Sequence, residues 1–210
     1  MKCRLCETRK PRRYCPGITG DICTVCCGDK REVTVDCPLD CAYLLEARRH
    51  DKLPEIKPED IPNRDVPVSE EFLREHEPLL IFLGAKILEA ALSTPGAVDS
   101  DVLETLDALI RTYRTLQSGL YYETKPANLV AAAMQQKIQD AVGILRKELS
   151  EKGAPALRDA ELLGTLVFLQ RLAIANNNGR PRGRAYVSYL LAHFPHEPQQ
   201  ASESTSLIQV

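Results

Sequence analysis

The sequence predicts a mainly α protein in which a small cysteine-rich module precedes a bundle of about five helices. Two observations lead to this prediction. All eight cysteines lie between Cys3 and Cys41, and apolar residues recur at helical spacing from Ser69 to Phe194. Apolar residues make up 44% of the 210 residues and charged residues 27%, which is the balance of a globular chain. We therefore expect two folded units that are stabilised in different ways.

Changes in composition divide the chain into four segments. Residues 1–51 form the cysteine-rich module, which closes with a helix at whose first turn we place Pro38. Residues 52–68 carry four prolines among charged residues, a density that prevents a continuous helix and favours an extended, semi-rigid linker. Residues 69–194 form the helical bundle, and residues 195–210, rich in Ser, Gln and Pro, are expected to be a disordered tail.

Apolar stripes predict the helices of the bundle. The stripes cover about residues 69–92, 101–120, 126–153, 162–169 and 184–194. The fourth segment is apolar almost all round, as expected for a central, enclosed helix. Asp101 and Glu104 resemble a capping box at the start of the second segment. No window approaches 18 uninterrupted apolar residues, so we expect no membrane span.

The spacing of the cysteines predicts zinc. The chain reads Cys3-x2-Cys6, Cys15, Cys23-x2-Cys26-Cys27 and Cys37-x3-Cys41. Two thiolates three residues apart can hold one zinc ion at Zn–S distances of ~2.3 Å, and four thiolates complete its tetrahedral coordination. The first 41 residues hold few aliphatic side chains, too few for unaided folding, and structural zinc can substitute for a missing core. Eight cysteines therefore suggest two structural sites and two zinc ions.

The Cys26-Cys27 pair suggests how the cysteines divide. Neighbouring side chains in extended structure point to opposite sides, so we expect these two to serve different ions. We assign Cys3, Cys6, Cys23 and Cys26 to the first zinc. The second zinc is assigned to Cys15, Cys27, Cys37 and Cys41. The two sites would then interleave along the chain as a cross-brace.

This order of ligands resembles the interleaved zinc fingers of the HIT, MYND and RING-like kind. The residues that carry the resemblance are the first C-x2-C, Tyr14-Cys15-Pro16, Ile22-Cys23-x2-Cys26-Cys27 and Cys37-x3-Cys41, about 45 residues in all. HIT and MYND fingers usually have a late histidine, whereas the nearest here is His50, and the lone Cys15 departs from their paired ligands. The resemblance implies a treble-clef-like module that binds proteins.

Disulfides, an iron–sulfur site and a thiol redox switch are the alternatives to zinc for these cysteines. Disulfides are disfavoured because the first residues lack an apolar signal region, and we expect a cytoplasmic, reducing location. An iron–sulfur site is disfavoured because the C-x2-C-x2-C-x3-C run is absent. A thiol redox switch that releases zinc stays open, since Cys26 and Cys27 are adjacent and basic residues nearby lower thiol pKa values.

Two basic segments are candidate binding sites. Residues 1–13 hold six basic residues and one acidic residue, and they could attract phosphates, nucleic acid or an acidic protein, or offset the charge of the thiolates. Arg180, Arg182 and Arg184 alternate with glycine and proline and could bind carboxylates or phosphates, although a solvated loop is the favoured interpretation. The sequence lacks the nucleophile, metalloprotease, P-loop and dinucleotide motifs. We therefore expect a non-enzymatic adaptor or regulator with a protein partner, with nucleic acid as the less favoured partner.

Overall fold

A computed structural model describes residues 1–52, 55–120 and 122–196. These residues form two short strands and eight helices, and the fold is mainly α, as the sequence predicts. The strands are β1 (Arg13–Cys15) and β2 (Gly20–Ile22). The helices are α1 (Thr24–Lys30), α2 (Ala42–Arg48), α3 (Glu70–Glu75), α4 (Glu77–Leu92), α5 (Asp99–Gln117), α6 (Leu129–Glu151), α7 (Asp159–Asn176) and α8 (Ala185–His193). Most of the predicted tail, residues 197–210, lies outside the described residues.

The N-terminal module is a β-hairpin followed by two short helices. β1 and β2 pair antiparallel with Tyr14 opposite Asp21, and the N–H of Arg4 donates to the carbonyl of Asp21 on the other edge of β2 (3.0 Å). The apolar cluster of the module consists of four buried cysteines, Ile22 and Val35. Cysteines therefore occupy the positions that aliphatic side chains fill in a larger core.

α2 starts later than predicted. Cys41 is the residue that precedes the helix, and its N–H donates to the carbonyl of Pro38 (3.1 Å) in a turn. The placement of Pro38 at the first turn of this helix was therefore wrong. Extended backbone at Cys41 separates the turn from the helix.

The bundle is built around α5 and α7. These two helices pack against each other along their length, with α6 against α5 and with α4 and α8 closing the other sides. α7 is buried on several faces, and Leu162, Leu166 and Leu169 are almost completely enclosed. All five predicted segments are helical; the first is interrupted at His76, where α3 ends and α4 begins.

The predicted capping box at the start of α5 was wrong in its partners. α5 begins two residues earlier than Asp101, whose carboxylate accepts the N–H of Val98 (2.9 Å). Glu104 lies one turn further on and accepts the N–H of Asn128 just before α6 (3.2 Å). Glu104 thus joins two helices where the sequence suggested a local cap.

The proline-rich segment lies against the bundle. The guanidinium of Arg171 on α7 donates to the carbonyls of Pro62 (3.3 Å), Asn63 (2.7 Å) and Val66 (3.3 Å). Arg114 on α5 forms an ion pair with Asp65 (2.6 Å). In its described part this segment contains one 3₁₀ turn, at Pro58–Asp60, and is otherwise without helix or strand, as the prolines require. It is a fixed strap from residue 62 to 66, not a free spacer.

Candidate metal centre

Four thiols converge between the N-terminal turn and the start of α1. The Sγ atoms of Cys3, Cys6, Cys23 and Cys26 all lie within 4.8 Å of one another. Three of these residues are buried, and Cys6 is partly exposed. They are the four cysteines that the sequence predicts for one site, and they form a group that could hold a metal ion.

Local backbone geometry positions these thiols. Cys23 is the residue that precedes α1, so its side chain lies at the helix N-terminus and accepts the N–H of Cys26 (3.4 Å). The N–H of Cys23 in turn donates to Sγ of Cys3 (3.2 Å). In the first knuckle the N–H of Glu7 donates to the carbonyl of Cys3 (2.8 Å), with Glu7 in the left-handed region (φ 53°). Sulfur atoms that accept N–H groups are stabilised as thiolates, the form that binds metals.

The electrostatics of the group favour a cation among the four thiols. A hydrogen bond from the Thr8 side chain, with the N–H groups of Arg9 and Thr8, lowers the pKa of Cys6 to about 5. Burial and three neighbouring cysteine sulfurs raise the pKa of Cys26 to about 12. The first thiolates to form therefore oppose ionisation of the last. A divalent cation among the four would remove this repulsion, and Arg9, whose pKa is raised by its hydrogen bond to Cys23, compensates part of it.

The other four cysteines share a second location but do not converge as closely. Cys15, Cys27, Cys37 and Cys41 line one cavity between the hairpin, α1 and α2. Burial raises the pKa of Cys37, and the charges of Cys15 and Cys41 add to the effect. Within the described part of the chain, only the first group has its ligand atoms within 4.8 Å of one another. The described residues therefore contain one four-cysteine group that could hold a metal.

Two guanidinium groups lie beside Cys27. Arg13 from β1 donates toward its Sγ (3.5 Å), and Arg31 beyond α1 lies slightly further away (3.9 Å). Arg13 also stacks on Tyr43 of α2, with the guanidinium carbon 4.0 Å from the ring centroid. These contacts place two positively charged side chains beside Cys27, at the second set of cysteines.

The side chains of Cys26 and Cys27 face different groups of cysteines, but the cause is not the one that the sequence analysis gave. Both residues belong to α1 and not to extended backbone. Successive residues on a helix are rotated by about 100°, so neighbours still face different directions. Cys26 faces the first group and Cys27 faces the second cavity.

The loop with Arg180, Arg182 and Arg184 lies on the N-terminal module. Arg180 donates to the carbonyl of Arg31 (3.1 Å), and the guanidinium of Arg184 pairs with the carboxylate of Asp36. The side chain of Arg182 is exposed, and its backbone N–H donates to the carbonyl of Glu32 (2.8 Å). The side chains of Arg180 and Arg184 therefore donate to acceptors in the N-terminal module, and the loop links the module to the bundle.

Comparison with family models, curated proteins and solved structures finds no match for the sequence or the fold. No helix in the described ranges is both long and apolar enough to cross a membrane.

The sequence prediction missed Glu32, which is 1% exposed although it follows two basic residues, Lys30 and Arg31. Its partners are up to 152 residues away in the chain, so no local pattern indicates them.

Proposed function

We propose that this protein is a non-enzymatic adaptor whose N-terminal module is folded around structural zinc. The observation that carries the proposal is the convergence of Cys3, Cys6, Cys23 and Cys26 within 4.8 Å. Thiolate ligands in a C-x2-C pair of knuckles are typical of zinc, and four protein ligands leave no position for a reacting water. The metal would therefore hold the fold together and would not act on a substrate.

A second zinc at Cys15, Cys27, Cys37 and Cys41 is part of this proposal. Their common cavity and the adjacent guanidinium groups support it. Four thiols have no mutual attraction, whereas an ion at their centre draws the sulfurs to ~2.3 Å from itself. The second ion would tie α2 to the hairpin and complete the predicted cross-brace.

The small apolar core of the module supports the proposal of structural metal. The buried apolar cluster contains two aliphatic residues, Ile22 and Val35, beside its cysteines. Burying these two side chains and Leu44 of α2, which is 1% exposed, contributes roughly 4–9 kcal/mol, far below the entropy cost of ordering about 40 residues. One structural zinc contributes on the order of 10–16 kcal/mol in small fingers. Packing against the bundle adds to this stability.

The surface of the module supports binding to a protein. Seven of the twelve exposed large hydrophobic residues in the described part of the chain lie within the first 45 residues, a fifth of the sequence. Leu5 (39% exposed) and Val25 (44%) each stand between the two cysteines of a knuckle. Exposed apolar side chains are enriched in surfaces that bind other proteins, and Arg4 stands next to Leu5 in the chain.

Pull-down with the full chain tests the adaptor function. We compare wild type, the double variant L5S/V25S and the control I144S, which changes an exposed side chain of α6 (60% exposed). The expected result is a partner that is retained by wild type and I144S and lost with L5S/V25S and with metal-free protein. Identical partner sets for all four samples would contradict the proposal.

A further inference from the structure

Glu32 lies at the centre of the junction between the module and the bundle. Its carboxylate accepts the guanidinium of Arg48 on α2 (2.8 Å), the N–H of Arg184 (3.0 Å) and the side-chain amide of Asn178 (2.8 Å). Its carbonyl accepts the N–H of Arg182 (2.8 Å). One residue of the module thus binds three residues of the α7–α8 loop.

The position of Glu32 depends on the cysteines around it. Glu32 lies between Cys27 and Cys37 in the chain, and its N–H donates to the Cys37 thiol. Its backbone is in the left-handed region (φ 52°), a conformation that a non-glycine residue keeps only where its surroundings impose it. The preceding Arg31 lies beside Cys27. The second set of cysteines therefore fixes the turn that presents Glu32.

Arg48 and Arg184 depend on the carboxylates of the module for their charge partners. In the described part of the chain, Nε and Nη1 of Arg48 and Nε of Arg184 are buried without a hydrogen-bond partner. Arg48 pairs with Glu32, and Arg184 pairs with Asp36 in the same turn of the module. A guanidinium that loses its carboxylate in such a place is an uncompensated charge, which favours opening to solvent.

The loop leads directly into α8. Arg184 immediately precedes this helix, and the carbonyl of Gly183 accepts the N–H of Asp99 on α5 (2.8 Å). Displacement of the loop would therefore act on the first turn of α8.

We propose that Glu32 is a metal-dependent latch: metal in the module holds the turn 31–37, and loss of metal releases the α7–α8 loop from it. This inference rests on the proposed zinc function and adds its regulation. Release would expose the buried carboxylate of Glu32 and the partly buried guanidinium groups of Arg180 and Arg184 to solvent. The bundle has its own large apolar core and would remain folded.

Hydrogen exchange on the full chain tests the latch. Exchange is measured for peptides that cover residues 176–187 and, as an internal control, residues 130–150 of α6, which packs on α4 and α5. The proteins are wild type with metal, wild type after chelation, E32Q with metal and E46Q with metal. Glu46 is the matched control because it lies on α2 with its side chain 62% exposed.

The latch predicts that chelation and E32Q each raise exchange in residues 176–187 by about tenfold or more, the effect of losing one charge-assisted hydrogen bond. Residues 130–150 and the E46Q protein should be unchanged. Unchanged exchange at 176–187 after chelation or in E32Q would overturn the latch, even where the metal content confirms zinc. Metal content is measured on the same samples, and absence of metal would overturn the proposed zinc function, and with it the metal dependence of the latch.

Discussion

The carboxylate of Asp99 provides a strong test of the packing between α5 and α8. Asp99 is 2% exposed, and its two oxygens accept the N–H groups of Tyr186 (3.0 Å) and Val187 (3.1 Å) in the first turn of α8. Burial raises its pKa from 3.8 to about 6, against the lowering effect of these hydrogen bonds. Since the folded-state pKa is raised, protonation stabilises the protein, and this stabilisation is lost as the pH rises through 6.

The perturbation is D99N, which keeps one acceptor and cannot ionise. The pKa difference corresponds to about 3 kcal/mol, and wild type should lose most of it, about 2 kcal/mol, between pH 4 and pH 7 relative to D99N, because part is already lost below pH 4. Urea unfolding at a series of pH values measures the difference between the two proteins. Both carry the same cysteines, so metal release at low pH affects both and cancels.

The control is D107N, which removes a carboxylate on the same helix with its side chain 44% exposed. Its stability difference from wild type should change much less over this range, because solvent screens the charge. A D99N difference that does not vary between pH 4 and pH 7 would refute the argument that burial governs Asp99.

Two further predictions concern packing and the strap. A Cβ at Gly84 would lie 2.2 Å from the ring of Phe194, so G84A should lower the free energy of unfolding by about 1–3 kcal/mol in urea titrations. A Cβ at Gly143 would have no atom within 4 Å, so the control G143A should raise the free energy of unfolding by up to about 1 kcal/mol. Equal effects would contradict the packing. R171A removes three hydrogen bonds to the strap and should cost about 1.5–3 kcal/mol and speed proteolysis at residues 55–68; unchanged cleavage would mean that other contacts hold the strap.

Local patterns in the sequence predicted the bundle well. α6 is an example: its stripe of Val130, Met134, Ile138 and Val142 contains three buried residues, and Gly153 follows its end with φ 64°. The period of 3.6 residues determines which positions face the core, whatever the partner helix is. Boundaries were less accurate. Asp101 caps the N–H of Val98, three residues before it, so the helix starts earlier than predicted, and Glu104 accepts the N–H of Asn128, which only the folded chain brings near.

The candidate site was predicted only in part, because the sequence shows local patterns and not contacts between distant residues. The C-x2-C spacings predicted the first group of cysteines because the two ligands of each knuckle are neighbours in sequence. The junction was not predicted, since Glu32 and Asn178 are 146 residues apart and neither belongs to a periodic pattern. For the alternating arginines at 180–184 the sequence favoured a solvated loop over a site for an external anion, whereas Arg184 pairs with Asp36 inside the protein.

Metal content per chain tests the central claim most directly. The full chain is purified without chelators, and its metals are quantified for wild type, C26S and C27S, which alter neighbouring residues that face different groups. The account predicts two zinc ions in wild type and one in each variant. One zinc that C27S leaves in place would remove the second site, and iron or no metal in wild type would contradict the account.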